Sequence, residues 1–108
     1  MSTTKTKTEL VRMGWVTALR TQGHRKCEGY YSQRVDGGIV QVCALGMLME
    51  IEGTRWGHLK AIGALAGLSP QQTYRVVKMN DGRGLSRPRT FSEIADVVES
   101  WFATVKAA

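Results

Sequence analysis

The sequence predicts an α+β domain that is mainly helical, with about five helices and a small β-hairpin. Three observations lead there. Apolar residues recur at helical spacing along several segments, Ser/Thr-x-x-Glu/Gln pairs stand where helices would begin, and only residues 30–42 carry β-prone runs around a turn-forming triplet.

Residues 1–7 are polar, Thr-rich and basic and read as a flexible N-terminus, with residues 8–108 as a single domain. The first helix is expected to begin at Thr6 or Thr8, because Thr6 and Glu9 have capping-box spacing. Val11, Trp15, Ala18 and Leu19 form its apolar stripe, Arg12 and Arg20 flank it, and Gln22-Gly23 ends it. A short basic loop follows at His24, Arg25 and Lys26. Tyr30 to Val35 and Ile39 to Val42 then read as strands of a hairpin turning at Asp36-Gly37-Gly38. Two strands alone are marginal, so this hairpin has to pack against helices.

Cys43 to Ile51 is apolar on nearly every face, which predicts a central, buried helix closed by Glu52-Gly53. Trp56 to Leu65 is the next expected helix, with Leu59, Ile62, Leu65 and Ala66 apolar and Gly67 where a left-handed residue is wanted. Ser69 caps a further helix, Pro70 suits its first position, and Gln72 completes a capping box. Tyr74 and Val77, with Val76 as a further candidate, are expected to face inward. Met79-Asn80-Asp81-Gly82 is a strong stop signal, with the Asn and Asp side chains expected to bond the turn backbone. A basic loop containing Arg83, Arg87 and Arg89 leads to the last helix. It opens at Thr90 with Glu93 at capping-box spacing and buries Phe91, Ile94, Ala95, Val98, Trp101, Phe102 and Val105. Trp15, Trp56 and Trp101 are expected core anchors.

The chain of 108 residues carries fifteen Lys and Arg against nine Asp and Glu, a net charge of +6, and a pI near 9.8. That balance favours acidic partners such as nucleic acid or an acidic protein face. No apolar run approaches the roughly 18 residues that span a bilayer, and the first residues lack the apolar core of a signal peptide. The expected setting is the cytoplasm of a host cell, with no membrane partner and with Cys27 and Cys43 reduced. The sequence carries no indication of oligomeric state.

Leu59 to Val77 has the grammar of a helix-turn-helix: small Gly63 at the crossing, Gly67 in the turn, and Ile62, Leu68 and Val76 to lock the pair. The segment resembles the lac repressor type of motif, notably at Ala66-Gly67-Leu68-Ser69 and Arg75-Val76-Val77, and departs from it at Thr73, where a larger apolar residue is usual. The resemblance implies a DNA-binding regulator with Ser69, Gln71, Gln72, Arg75 and Lys78 near the nucleic acid. Gln pairs with adenine and Arg with guanine in the major groove, and Lys meets phosphate.

Four blocks cover more of the chain: Trp15 to Arg20, Cys43 to Leu48, Met79-Asn80-Asp81 and Phe91 to Glu99. In that order they resemble a family of small uncharacterised proteins common in phages and prophages. Relatives pair two cysteines before Leu-Gly where this chain has Val42-Cys43. Their Ala-Gly-Leu ahead of the Asn-Asp turn gives Ala66-Gly67-Leu68 a packing reading as well. The resemblance implies a phage origin and no established activity.

Other chemistry is poorly represented. His24, Cys27, Cys43 and His58 carry metal-binding atoms, but only the first two are close in sequence and no paired CxxC occurs, so no metal is expected. No nucleophile elbow or phosphate loop is present, and neither catalytic residues nor a cofactor are expected. The leading expectation is a non-enzymatic phage-type accessory protein that binds a host protein, another host macromolecule or a small anionic ligand and inhibits a host or defence process. Its expected contact residues are His24, Arg25, Lys26, Tyr30, Arg83, Arg87 and Arg89. The DNA-binding regulator is the alternative.

Overall fold

The computed structural model describes residues 6–27, 32–34, 40–53 and 58–107. Its elements are α1 (Lys7–Thr21), a 3-10 turn (Gly23–Arg25), β1 (Ser32–Arg34), β2 (Val40–Val42), α2 (Ala44–Glu52), α3 (Leu59–Leu65), α4 (Pro70–Asp81) and α5 (Phe91–Ala107). The architecture is the mainly helical one expected, with one short strand pair. Among the described residues no helix is long and apolar enough to cross a membrane.

Thr6 caps α1 by accepting the Glu9 N–H at 3.1 Å, the earlier of the two expected helix starts. β1 and β2 pair antiparallel with Gln33 opposite Gln41. The turn expected at Asp36-Gly37-Gly38, like Tyr30 and Tyr31, lies outside the described residues. The other edge of β2 is also engaged. Lys26 pairs with Val42 in a parallel bridge, and Cys27 N–H donates to the Val42 carbonyl at 2.9 Å.

α2 is the central helix the composition required, with every residue from Ala44 to Met49 buried. It ends at Gly53, whose φ of 67° is the left-handed conformation that glycine adopts without a Cβ clash. Around it lie Trp15, Leu19, Ile62, Val76, Phe91, Ile94 and Val98, all fully enclosed. Trp101 and Phe102 are only half-buried and pack on the rim of this core, and Trp56 lies outside the described residues. α3 is described from Leu59, with His58 at its cap position.

One polar residue ties three segments of the core together. Asn80 is buried, and its Oδ1 accepts the N–H of Ala44 at 3.0 Å while its Nδ2 donates to the Cys27 carbonyl at 2.9 Å. The Ala44 carbonyl accepts the indole N–H of Trp15 at 2.9 Å. The expected role of Asn80 as a turn-bonding side chain is therefore corrected: it points inward and caps α2 from a distant helix. An orphan N–H in the first turn of a helix needs an acceptor, and a buried one has no water to supply it.

Candidate nucleic-acid interface

Ser69 ends the turn after α3 and starts α4 with a complete capping box. Its hydroxyl accepts the Gln72 N–H at 3.1 Å, and the Gln72 side-chain oxygen accepts the Ser69 N–H at 2.9 Å. In the turn, Leu68 N–H donates to the Gly63 carbonyl at 3.0 Å and Gly67 takes φ 74°. Thr73 is fully buried at the place where α3 and α4 cross. A Cβ on Gly63 would sit 2.9 Å from both the Cβ and Cγ2 of Thr73, so the crossing tolerates no side chain on α3. Thr73 fills the site where the motif usually has a larger residue because the helices approach so closely. Its hydroxyl donates to the Ser69 carbonyl at 2.9 Å and leaves no polar atom unpaired.

That crossing fixes which face of α4 is inside. Thr73, Val76, Met79 and Asn80 are buried, and the expectation that Tyr74 faces inward is corrected: it is 49% exposed. One residue is a rotation of about 100° on a helix, enough to carry a side chain from the crossing to the surface. Val77 is half-buried at the core's edge. The outer face consists of Gln71, Tyr74, Arg75 and Lys78, all exposed, with Tyr74 and Arg75 each three or four residues from both Gln71 and Lys78. Ser69 and Gln72, also expected near nucleic acid, are half-buried and engaged with each other.

Arg12 holds this unit to the rest of the domain, a role its place on the margin of the α1 stripe did not signal. Its Nε donates to the Ala66 carbonyl at the end of α3 at 2.8 Å, and its guanidinium lies 4.5 Å from the centre of the Phe102 ring. The turn between α3 and α4 is thus fastened to α5.

Charge is segregated. Arg20 pairs with Asp96 at 3.0 Å and Glu99 at 2.7 Å, Arg25 grips Glu50 through two hydrogen bonds, and Arg87 does the same to Glu93. These bonds raise the three arginine pKa values and lower those of Glu50 and Glu93. In contrast, the sequence has no acidic residue between Glu52 and Asp81, and Lys60, Arg75 and Lys78 on that stretch are exposed. Among the described residues neither Arg75 nor Lys78 has a carboxylate partner.

The two basic loops expected as a contact surface meet at the C-terminal end of α4. Lys26 Nζ donates to the Asn80 carbonyl at 2.8 Å, and Arg89 N–H donates to the Met79 carbonyl at 2.7 Å. His24 and Arg83 are exposed there. Arg25, Lys26 and Arg87 make internal bonds, Arg89 is half-buried, and Tyr30 lies outside the described residues.

Among the described residues no three His, Cys, Asp or Glu side chains are grouped to hold a metal ion. Cys43 Sγ accepts the Gly46 N–H at 3.2 Å as the cap of α2, and burial pushes its thiol pKa up. Comparison with protein-family models, curated proteins and solved structures yields no match for this chain.

Proposed function

We propose that the chain is a small DNA-binding protein that seats α4 in the major groove of a duplex. The observation that carries this reading is the outer face of α4, where Gln71, Arg75 and Lys78 have no carboxylate partner among the described residues, on the second helix of a closely crossed pair. A major groove about 12 Å wide admits one helix, and residues near the start of a recognition helix are the ones that reach base edges. In this arrangement Gln71 pairs with adenine, Arg75 forks onto guanine, and Lys78 with Lys60 neutralises phosphate. Glu50 of α2 and Glu93, Asp96 and Glu99 of α5, which would repel a polyanion, are paired with Arg25, Arg87 and Arg20.

The test is binding to duplex DNA across a salt series. Affinity should fall steeply as salt rises, and Lys78→Ala should reduce the log–log slope by about one, as loss of one phosphate contact does. Absence of duplex binding at low salt rejects the proposal.

A second reading is an accessory protein of the phage type, binding a host macromolecule or small anionic ligand to block a host or defence process. What favours it is the meeting of the two basic loops at one end of α4, with His24 and Arg83 exposed. Affinity capture from host lysate, with and without nuclease, separates the two. Capture that survives nuclease and is lost in a His24→Ala/Arg83→Ala variant supports this second reading.

A further inference from the structure

We infer that Tyr74 is a specificity-determining residue whose ring packs against the C5 methyl group of a thymine in the major groove. The inference rests on the DNA-binding reading of α4 and extends it from charge to base identity. Tyr74 is half in water although it sits one residue from Thr73 and two from Val76, both fully buried. Its hydroxyl has no hydrogen-bond partner among the described residues. The fold therefore gains little from an aromatic residue here, while the free protein leaves much of its apolar surface hydrated.

The surroundings define what would cover it. Gln71 lies three residues before, Arg75 one after and Lys78 four after, all on the same exposed face, with no acidic residue between Glu52 and Asp81. An occupant that satisfies this face is anionic at its margin, offers hydrogen-bonding edges to Gln71 and Arg75, and presents an apolar group between them. A DNA major groove containing thymine has all three, because the C5 methyl projects there beside the hydrogen-bonding edges of neighbouring bases. RNA lacks that methyl group, and its deep, narrow major groove does not admit side chains. Tyr74 is the fifth residue of α4, close enough to the helix start to reach bases rather than only the backbone.

The test uses a randomised 20-base-pair duplex library selected by wild type, Tyr74→Phe and Tyr74→Ala. Wild type and Tyr74→Phe should enrich thymine at one shared position, and Tyr74→Ala should lose that preference. The enriched duplex is then remade with uracil at that position. Wild type and Tyr74→Phe should bind it on the order of fourfold more weakly, the effect of one buried methyl-sized group, while Tyr74→Ala should bind both duplexes equally. Equal binding of thymine and uracil duplexes by wild type overturns the inference, as does discrimination that survives in Tyr74→Ala. In either case salt-dependent duplex binding that weakens in Lys78→Ala would leave the DNA-binding reading standing. No duplex binding at all rejects both.

Discussion

The side-chain oxygen of Asn80, near the end of α4, accepts the backbone N–H of Ala44 at the start of α2. Through this bond and the one from its Nδ2 to Cys27, the helix that presents the proposed DNA-reading face is fixed to the central helix. Asn80→Ala should remove the acceptor of the buried Ala44 N–H and one donor to the Cys27 carbonyl, and cost about 1–3 kcal/mol of stability. Asn80→Leu should not recover it, because an apolar side chain restores volume without hydrogen bonds. Urea unfolding midpoints measure the loss, and a midpoint close to wild type for both variants would remove Asn80 from this role.

The crossing of α3 and α4 sets a steric prediction. Gly63→Ala places a methyl group against Thr73 and should destabilise the fold by about 1–3 kcal/mol, the usual range for overpacking. Thr73→Ala in the same chain removes Cγ2 and the hydroxyl and should recover part of that loss. A double-mutant cycle by denaturant unfolding tests it, with strict additivity as the adverse result.

Two arginines of the same formal charge should behave oppositely. Arg75 has no carboxylate partner among the described residues, and Arg87 is held by Glu93. Arg75→Ala should weaken binding to a selected duplex by about 1–3 kcal/mol with its melting temperature unchanged. Arg87→Ala should lower the melting temperature slightly and weaken duplex affinity much less than Arg75→Ala, only through the Glu93 charge it uncovers. Fluorescence anisotropy and thermal melts on the two variants provide the comparison.

The start of α5 carries a pH dependence. Hydrogen bonds from Arg87, then from the Thr90 backbone, hold the Glu93 pKa at about 2, below the ordinary glutamate range. A depressed carboxylate pKa stabilises the folded chain above its unfolded value, and that contribution is lost as pH falls toward the folded value. Glu93→Gln should therefore melt lower than wild type at neutral pH, with the gap closing between about pH 4 and about pH 2. The site is exposed and the gap should be small. A gap that is constant across pH would assign the effect to the capping geometry alone.

Burial should also govern thiol reactivity. Cys27 is enclosed and the Cys43 thiolate is disfavoured, so iodoacetamide at mildly alkaline pH should label native protein much more slowly than protein unfolded in urea. Intact-mass time courses read this directly, and equal labelling rates would show that the α2 cap is open to solvent.

The sequence by itself determined the helices and their ends. Thr6/Glu9, Ser69/Gln72 and Thr90/Glu93 are local signals whose partners lie three residues apart, and the glycines at 53, 67 and 82 mark where a left-handed backbone stops a helix. Local signals stop at the element's edge. Only the tertiary structure decided that Tyr74 faces water and Asn80 faces the core, because the choice between adjacent residues of α4 is made by the close approach of Gly63 to Thr73 on another helix. The same holds for charge: fifteen basic residues were countable from the start, but which of them are free depends on carboxylates such as Glu50 and Glu99, distant in sequence and brought near by folding. Hydrogen bonds and ion pairs act over a few ångströms in space, and the partners Glu99, Glu50 and Ala44 of Arg20, Arg25 and Asn80 lie tens of residues away along the chain.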